Sequence, residues 1–378
     1  MAALNEKVRL LKGLLSGETA EVGPFYALVD VTRSCNLACL GCRYHSPHVK
    51  IPSPGDRSKT NISFRLFTEL CDQLSAMGTK RLILTGEGEP FLHPRLLEII
   101  STAKKVGLHV TLFTNGTLLD ETKVRLLMDS QLDVLTVSLW AGSEAEYEEN
   151  HPGAGPEYFN TIVNALRHLT RLKAAQAGCL PSVVMHHPIY RNNFDSIQTI
   201  AGLAHETGCD TLSFSPLRTR RGRLGSFALT QDETKLLSLN LARIKRRLDS
   251  LSIGHNIDNT ILRYRVGEKV WEKVPCYVGW VQVHIKVDGT VLPCNSCSLP
   301  MGNLNEQSLS HIWNGSSLKR FRRQTLTKEG LAHMGPHCDC HFCCHVEDNM
   351  RVHRIFRWFS PFLPGKKNRK AWLSMETS

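Results

Sequence analysis

Cys35, Cys39 and Cys42 stand on one short stretch with the spacing Cys-x3-Cys-x2-Cys, so three thiolates can converge on a single inorganic centre. A closed structural zinc site and an ordinary [4Fe–4S] cluster each take a fourth protein ligand, so three sulfurs leave one corner open to something that is not protein. Cys71 falls in an apolar stripe at helical spacing with Phe67, Leu70 and Leu74 and reads as core. His45 could complete a zinc site of three cysteines and one histidine, and the loop by itself leaves both readings open.

A second group follows late in the chain: Cys276-x12-Gly289-x4-Cys294, then Cys297, then Cys338, Cys340, Cys343 and Cys344. Seven cysteines in 69 residues is far above composition and points to a second centre. Val281–Val287 and Thr290–Leu292 flank Asp288-Gly289, which predicts a β-hairpin with a primed turn. It would bring Cys276 and Cys294 to neighbouring strand ends, with Cys340-x2-Cys343 closing the cage; a four-thiolate zinc ribbon is the alternative.

These groups need a scaffold, and 378 residues suffice for one large domain and a smaller one. The chain is 42% hydrophobic and 21% charged, without an apolar run long enough to span a membrane. Leu4, Val8, Leu11 and Leu15 alternate with charged residues in an amphipathic N-terminal helix, unlike the continuous apolar core of a signal peptide. Thirteen cysteines, odd in number and mostly clustered, then suggest metal centres in a reducing compartment, and the expected location is the cytoplasm.

From residue 26 the pattern is repeated βα units on a parallel sheet. Strands are expected at Tyr26–Thr32, Arg81–Thr85, His109–Thr114, Val134–Leu139, Ser182–His187 and Thr211–Ser215, with helices such as Pro94–Val106, Glu121–Ser130 and Tyr158–Ala174. Each strand runs into an unusual segment: the cysteine loop, Gly86-Glu87-Gly88-Glu89-Pro90, Thr114-Asn115-Gly116, Ser138-Leu139-Trp140, His186-His187-Pro188 and Ser215-Pro216-Leu217-Arg218. Six such segments at strand C-termini favour a partial (β/α)6 barrel, whose sites lie on that face, over an open doubly wound sheet. The expected fold is therefore α/β: a TIM-like partial barrel followed by a small cysteine-rich α+β domain. The organisation expected is an N-terminal helix at 1–24, a core at 25–228, a linking helix at 229–270, a cluster domain at 271–348 and a tail at 349–378.

With these motifs in order, the chain resembles the radical S-adenosylmethionine (radical SAM) enzymes. In that family the three thiolates of Cys-x3-Cys-x2-Cys hold a [4Fe–4S] cluster whose open iron binds S-adenosylmethionine. The resemblance implies its reductive cleavage to methionine and a 5′-deoxyadenosyl radical that abstracts hydrogen, chemistry that belongs to the cofactor and that the protein aims. Gly86-x-Gly88-Glu89-Pro90 resembles the family's motif for the cofactor's amino group: glycines permit close backbone approach and Glu89 can accept bonds from an ammonium. Thr114, Asn115 and Ser138 match positions near the cofactor in relatives, although each would serve equally as a turn or capping residue. One position departs: relatives commonly carry an adenine-holding aromatic before the third cysteine, where this chain has Gly41, and Tyr44 is the expected substitute.

The late cysteines resemble the SPASM/twitch extension of the same enzymes. The resemblance rests also on Asp288-Gly289-x-Val291-x-Pro293-Cys294, Met301-Gly302-Asn303-Leu304 and Ile312-Trp313-Asn314. It implies one auxiliary [4Fe–4S] cluster on Cys276, Cys294, Cys340 and Cys343, with Cys297, Cys338 and Cys344 spare or available to an incomplete second site.

His186 and His187 are consecutive, so one faces each side of a strand, and both read as structural. Arg218, Arg220, Arg221 and Arg223 follow the sixth strand; Arg218 and Arg221 are the candidates for an anionic substrate, against a merely solvated loop. Cys71, Cys179 and Cys209 read as small buried hydrophobes, unless the reaction is an epimerisation that requires a thiol hydrogen donor. Seven of the eleven net positive charges lie between Arg351 and Lys370 among Ile355, Phe356, Trp358, Phe359 and Phe362, a tail suited either to peripheral contact with an anionic membrane or to packing back on the domain. No nucleic-acid module is visible.

The activity expected is hydrogen abstraction from a small polar, anionic molecule, with the auxiliary cluster taking up an electron. Supply by a donor such as flavodoxin or ferredoxin is also expected. Peptide-modifying relatives often carry a leader-binding domain before the cysteine loop, and 34 residues are too few for one. A peptide- or protein-modifying maturase and a non-enzymatic zinc-binding interaction protein are the alternatives.

Overall fold

The computed structural model describes residues 2–48, 55–56, 58–176, 180–218 and 224–359. Ten strands form one sheet. The first six, β1 (Tyr26–Asp30), β2 (Arg81–Thr85), β3 (His109–Thr114), β4 (Val134–Ser138), β5 (Ser182–Ile189) and β6 (Thr211–Pro216), are adjacent in sequence order. Every pairing between them is parallel, giving the partial barrel. The helices between them are α2 (Phe64–Ala76), α3 (Leu96–Lys105), α4 (Glu121–Asp129), α5 (Glu144–Asn150), α6 (Pro156–Ala175) and α7 (Ile197–Glu206), after the N-terminal α1 (Ala2–Ser16).

Period-2 alternation decides which side chains meet the helices. Leu82, Leu84, Val110, Leu112, Leu135, Val137, Val183, Met185, Leu212 and Phe214 are sealed from solvent in the main core with Ile99, Ile100, Ile162 and Ile200. Each such side chain contributes about 1.5–3 kcal/mol relative to exposure, which makes the sheet a stiff platform for its loops. The alternate positions, among them Thr85, Phe113, Ser138, His186, Ser213 and Ser215, are only partly buried and line the other face. Helix starts follow local chemistry: Ser63 caps α2 through Leu66 N, Asp120 caps α4 through Lys123 N, and Ser143 caps α5.

The sheet continues beyond the six strands. β7 (Gly254–His255), after α8 (Gln231–Ser250), adds parallel to β6. On the other side β8 (Gln282–Ile285) runs parallel to β1, and β9 (Thr290–Leu292) and β10 (Gly302–Asn303) follow antiparallel. The cysteine-rich segment is thus joined to the barrel edge by main-chain hydrogen bonds. Its helices are α9 (Ile257–Val266), α10 (Leu309–Trp313), α11 (Ser316–Thr325), α12 (Lys328–Met334) and α13 (Val346–Phe359).

The β8–β9 hairpin differs from the primed turn expected. Gly289 has φ +84°, while Asp288 is absent from the residues of positive φ that a type I′ turn needs at both central positions. Lys286 N donates to Thr290 O and Gly289 N to Lys286 O, which makes a three-residue loop ending in a left-handed glycine. The cause is Asp288 itself, whose Oδ1 accepts from Thr290 N at 3.2 Å and whose Oδ2 accepts from Asp56 N.

The start of the tail packs back on the protein. Asn349 Oδ1 accepts from Tyr277 N at 2.5 Å, His353 Nδ1 lies 2.9 Å from Tyr277 Oη, and Ile355 is exposed. The side chains of Phe356, Trp358, Phe359 and Phe362 lie outside the described residues. No helix among the described residues is long and apolar enough to cross a membrane.

Candidate functional site

The cysteine loop leaves β1 and is held from two sides. Glu89 N donates to Ser34 O at 2.7 Å and Gly88 N to Thr32 O at 3.2 Å, so the Gly86–Pro90 turn lies flat against the chain entering the loop. A Cβ on Gly88 would stand 1.8 Å from Ser34 O, and one on Gly86 would stand 2.8 Å from Thr32 O. The close approach these glycines permit is therefore to the cysteine loop's own backbone, where the sequence suggested approach to a ligand. From β3, Asn115 Nδ2 donates to Asn36 Oδ1 at 3.0 Å and Asn36 Nδ2 to Thr117 Oγ1 at 2.8 Å.

Glu89 is 2% exposed and accepts three bonds. They come from Phe91 N at 3.1 Å, Thr114 Oγ1 at 2.7 Å and Asn115 N at 2.6 Å. Burial raises its pKa while these donors pull it down. A carboxylate offers about four lone-pair sites, so one remains for a ligand. Ser138 accepts from Trp140 Nε1 at 2.9 Å.

Within the loop, Cys42 Sγ accepts from Tyr44 N at 3.4 Å and His45 N at 3.3 Å. Burial pushes the Cys35 thiol up to about 11 and raises Cys39 further, and Cys35, Cys39 and Cys42 repel one another as thiolates. Three partly buried sulfur donors that repel one another as thiolates fit a cationic inorganic centre, which supplies the charge that deprotonates them. Among the described residues no three Cys, His, Asp or Glu side chains converge at the spacing of a single ion.

Gly41 is covered from another strand. A Cβ there would meet Trp140 Cζ3 at 2.6 Å and Leu217 Cδ1 at 2.9 Å. Tyr44, the substitute expected, turns away: its ring lies under Lys286 at 5.5 Å and beside Arg43 at 5.4 Å. An indole occupying this space explains why position 41 is glycine.

A buried ionic network sits beneath the loop. Lys286 is 1% exposed and bonds both Asp30, at the end of β1, and Glu87, in the glycine turn. Arg33 Nε lies 3.1 Å from Glu87 Oε2, and His284 Nε2 lies 3.1 Å from Asp30 Oδ2. Despite complete burial, His284 and Lys286 hold the Asp30 carboxyl well below the usual range, and its partners Asp30, Tyr44 and Glu87 raise Lys286. Sequence reasoning missed this network, since no local pattern links Asp30 to Lys286.

The second cysteine group surrounds a cavity of about 340 Å³. Cys276, Cys294, Cys340 and Cys343 all line it, with Cys338, Trp271, Phe321 and Met334. Backbone N–H groups of Ser296 and His345 point at Cys294 Sγ and Cys343 Sγ, each at 3.4 Å. Burial raises the Cys276 and Cys294 thiols, and the sulfur donor set in an apolar shell again fits an inorganic cluster. Phe342, between the closing cysteines, has φ +50°, and Arg263 holds its carbonyl from Nε at 3.2 Å and Nη2 at 2.6 Å. Strain of this kind persists only where surrounding contacts enforce it.

Arg218 points into the wall between the two sites, with Nη2 3.1 Å from Cys344 Sγ and Nη1 3.5 Å from Asn295 O. Arg43 Nη1 reaches the same carbonyl at 3.1 Å. Arg218 is thereby engaged by the protein, and Arg220, Arg221 and Arg223 lie outside the described residues. His186 faces the barrel interior between Ser213 and Ser215, and burial lowers it to about 4; His187 is sealed on the other face against Leu139 O at 3.0 Å. Cys71 and Cys209 are buried as expected, and Cys179 lies outside the described residues.

A barrel mouth with three clamped cysteines and a second thiol cage on the same sheet defines an iron–sulfur radical enzyme, and the comparisons agree. Residues 29–204 match the radical SAM superfamily and residues 276–344 match SPASM, an iron-sulfur cluster-binding domain. The chain carries a radical SAM domain and a C-terminal SPASM domain, and its cofactors are a [4Fe–4S] cluster with S-adenosylmethionine and at least one auxiliary cluster. It is 25% identical over 316 residues, 80% of either chain, to the PqqA peptide cyclase of Gluconobacter oxydans (strain 621H). Among solved structures it is similar to Streptococcus suis SuiB bound to S-adenosylmethionine, with TM-score 0.63, 15% identity and coverage of 92% of this chain and 77% of that one. It is also similar to anSMEcpe with bound AdoMet, with TM-score 0.62, 16% identity and coverage of 90% and 98%. At these identities the structures establish the fold.

Proposed function

We propose that this protein is a peptide-modifying radical SAM enzyme, in preference to one acting on the small polar molecule expected from sequence. The observation that carries the reading is its similarity to a peptide cyclase over four-fifths of both chains. The cofactor, when bound, supplies a carbon radical that takes a hydrogen atom from the substrate.

The chain's residues bind and aim that chemistry. Cys35, Cys39 and Cys42 would hold the first cluster. The Gly86–Gly88 turn fixes the loop's height, and Glu89 offers its remaining lone pair to the cofactor's ammonium, oriented by Thr114 and Asn115. Ser138 and Trp140 border the same mouth, and Trp140 supplies the aromatic surface that position 41 lacks. Cys276, Cys294, Cys340 and Cys343 would hold the auxiliary cluster, whose chemistry there would be one-electron transfer. Arg218 and Arg43 brace the wall between the centres. Reducing equivalents come from a small electron carrier of the flavodoxin or ferredoxin kind.

The test is to incubate anaerobically reconstituted protein with reductant, S-adenosylmethionine and a library of ribosomally encoded peptides. A peptide product short of a hydrogen pair, with 5′-deoxyadenosine formed in step, is expected. Turnover of a small polar metabolite from extract and of no peptide would overturn the reading.

A further inference from the structure

Three cysteines of the late group are not needed by a four-sulfur cage, and two of them face each other. Cys297 and Cys338 form an isolated antiparallel bridge. Ser298 N donates to His337 O at 2.8 Å and Asp339 N to Ser296 O at 2.7 Å, one on each side of the pair. Residues flanked in this way occupy a non-hydrogen-bonded pair, in which Cα atoms approach to about 4.5 Å, inside the roughly 4.4–6.8 Å range a disulfide accepts. The thiols already touch, with Sγ···Sγ 2.7 Å.

Their place in the chain gives the pair a purpose. Cys297 follows Cys294 by three residues, and Cys338 precedes Cys340 by two. A bond between them would staple the arm that carries Cys294 to the arm that carries Cys340 and Cys343. Cys297 is 3% exposed, whereas Cys338 is only partly buried. Cys338 is thus the thiol that a small reagent reaches first, with Cys297 behind it to resolve the product. Cys344, the third spare thiol, is engaged by Arg218 on the opposite side.

We propose that Cys297 and Cys338 are a dithiol–disulfide modification site, a covalent latch across the auxiliary cage. The oxidant is a low-molecular-weight disulfide. The Cys338 thiolate attacks one of its sulfurs and expels a thiolate, which takes up the proton that Cys338 has lost. Cys297 then attacks Cys338 in the mixed disulfide and expels the second thiolate, which receives the proton from Cys297. The protein loses two electrons and two protons, and the small disulfide is reduced to two thiols. The chemistry requires no iron, so it stands apart from the proposed peptide activity.

The test uses the full chain with its clusters, treated anaerobically with oxidised glutathione, alkylated with N-ethylmaleimide under denaturing conditions and mapped by mass spectrometry. A Cys297–Cys338 linked peptide that disappears on reduction is expected, with iron content unchanged. Cys297→Ala should instead trap glutathione on Cys338. Cys297→Ala/Cys338→Ala should retain the parent's iron and lose the linked peptide. Full alkylation of both cysteines after the treatment would overturn the proposal. So would loss of about four irons per chain in the double variant, since the two would then be cluster ligands.

Discussion

Replacing Lys286 by Met tests whether the ionic network beneath the cysteine loop carries the stability its burial implies. The ammonium lies between Asp30 and Glu87 with 1% exposure, and Met keeps the length of the side chain without its charge. Asp30 would keep His284 and Glu87 would keep Arg33, each without the central ammonium. Removing one member of a buried ion pair costs about 3–5 kcal/mol, because the remaining charge is left without compensation. With an unfolding entropy near 2.1 cal/mol/K per residue, a two-state chain of 378 residues would lose about 5 °C in Tm for about 4 kcal/mol. The pH dependence follows from the shifts. Asp30 is depressed in the folded state, so its contribution is present above the usual carboxylate range and fades as pH falls. Lys286 is raised, so its contribution is present below the usual lysine range and fades as pH climbs through the folded value. The deficit of Lys286→Met should therefore be widest from about pH 5 to pH 10 and shrink on either side. Anaerobic thermal melts of parent and variant across that range make the measurement, and Lys286→Met/Asp30→Asn should recover part of the loss. A Tm within about 1 °C of the parent at pH 7, or a deficit independent of pH, would refute the reasoning.

Other outcomes follow from the two cysteine sites and the cofactor mouth. Iron should be about eight per chain, fall to about four when Cys276 and Cys294 become Ala, and reach about twelve only if the spare cysteines complete a second auxiliary cluster; colorimetric iron analysis decides. Cys35→Ala/Cys39→Ala/Cys42→Ala should abolish 5′-deoxyadenosine formation, measured by chromatography, while leaving auxiliary iron in place. Glu89→Gln keeps an acceptor for Asn115 N but loses the charge, so S-adenosylmethionine binding by equilibrium dialysis should weaken while iron content stays near the parent's. Trp140→Ala uncovers Gly41, so the cofactor's dissociation constant should rise more than in Trp140→Phe.

The strand pattern was readable most directly in β2, β3 and β6, where apolar residues alternate along the strand. Arg81–Thr85 and His109–Thr114 have the bounds their apolar runs suggest, with Gly86–Pro90 and Thr114–Gly116 at their ends, whereas His186-His187-Pro188 falls inside β5, which runs on to Ile189. Cys276, Cys294, Cys340 and Cys343 meet at one cavity, and their spacing marked them out. What was not legible depends on residues far apart in the chain. Asp30 and Lys286 are 256 residues apart, and an aspartate at the end of an apolar strand looks like any turn former. Gly41 read as a missing aromatic because the indole that fills its place comes from β4. Asp288-Gly289 read as a primed turn because a dipeptide rule does not know that the aspartate side chain holds Thr290 N and Asp56 N.

The pairing of β1 with β8 bears on how the chain is made. All five residues of β1 are buried, and one edge of it is closed only by Gln282–Ile285. At about 5–20 residues per second, a ribosome needs on the order of 10–50 s to bring Lys286 out after Asp30. Through that interval the nascent barrel presents an apolar strand with open main-chain donors and acceptors, which is the surface on which other chains add. The cysteine-rich segment is then the last stave of the barrel as well as a cluster holder, and a chain ended before it should aggregate or pair with another copy even with every core strand present.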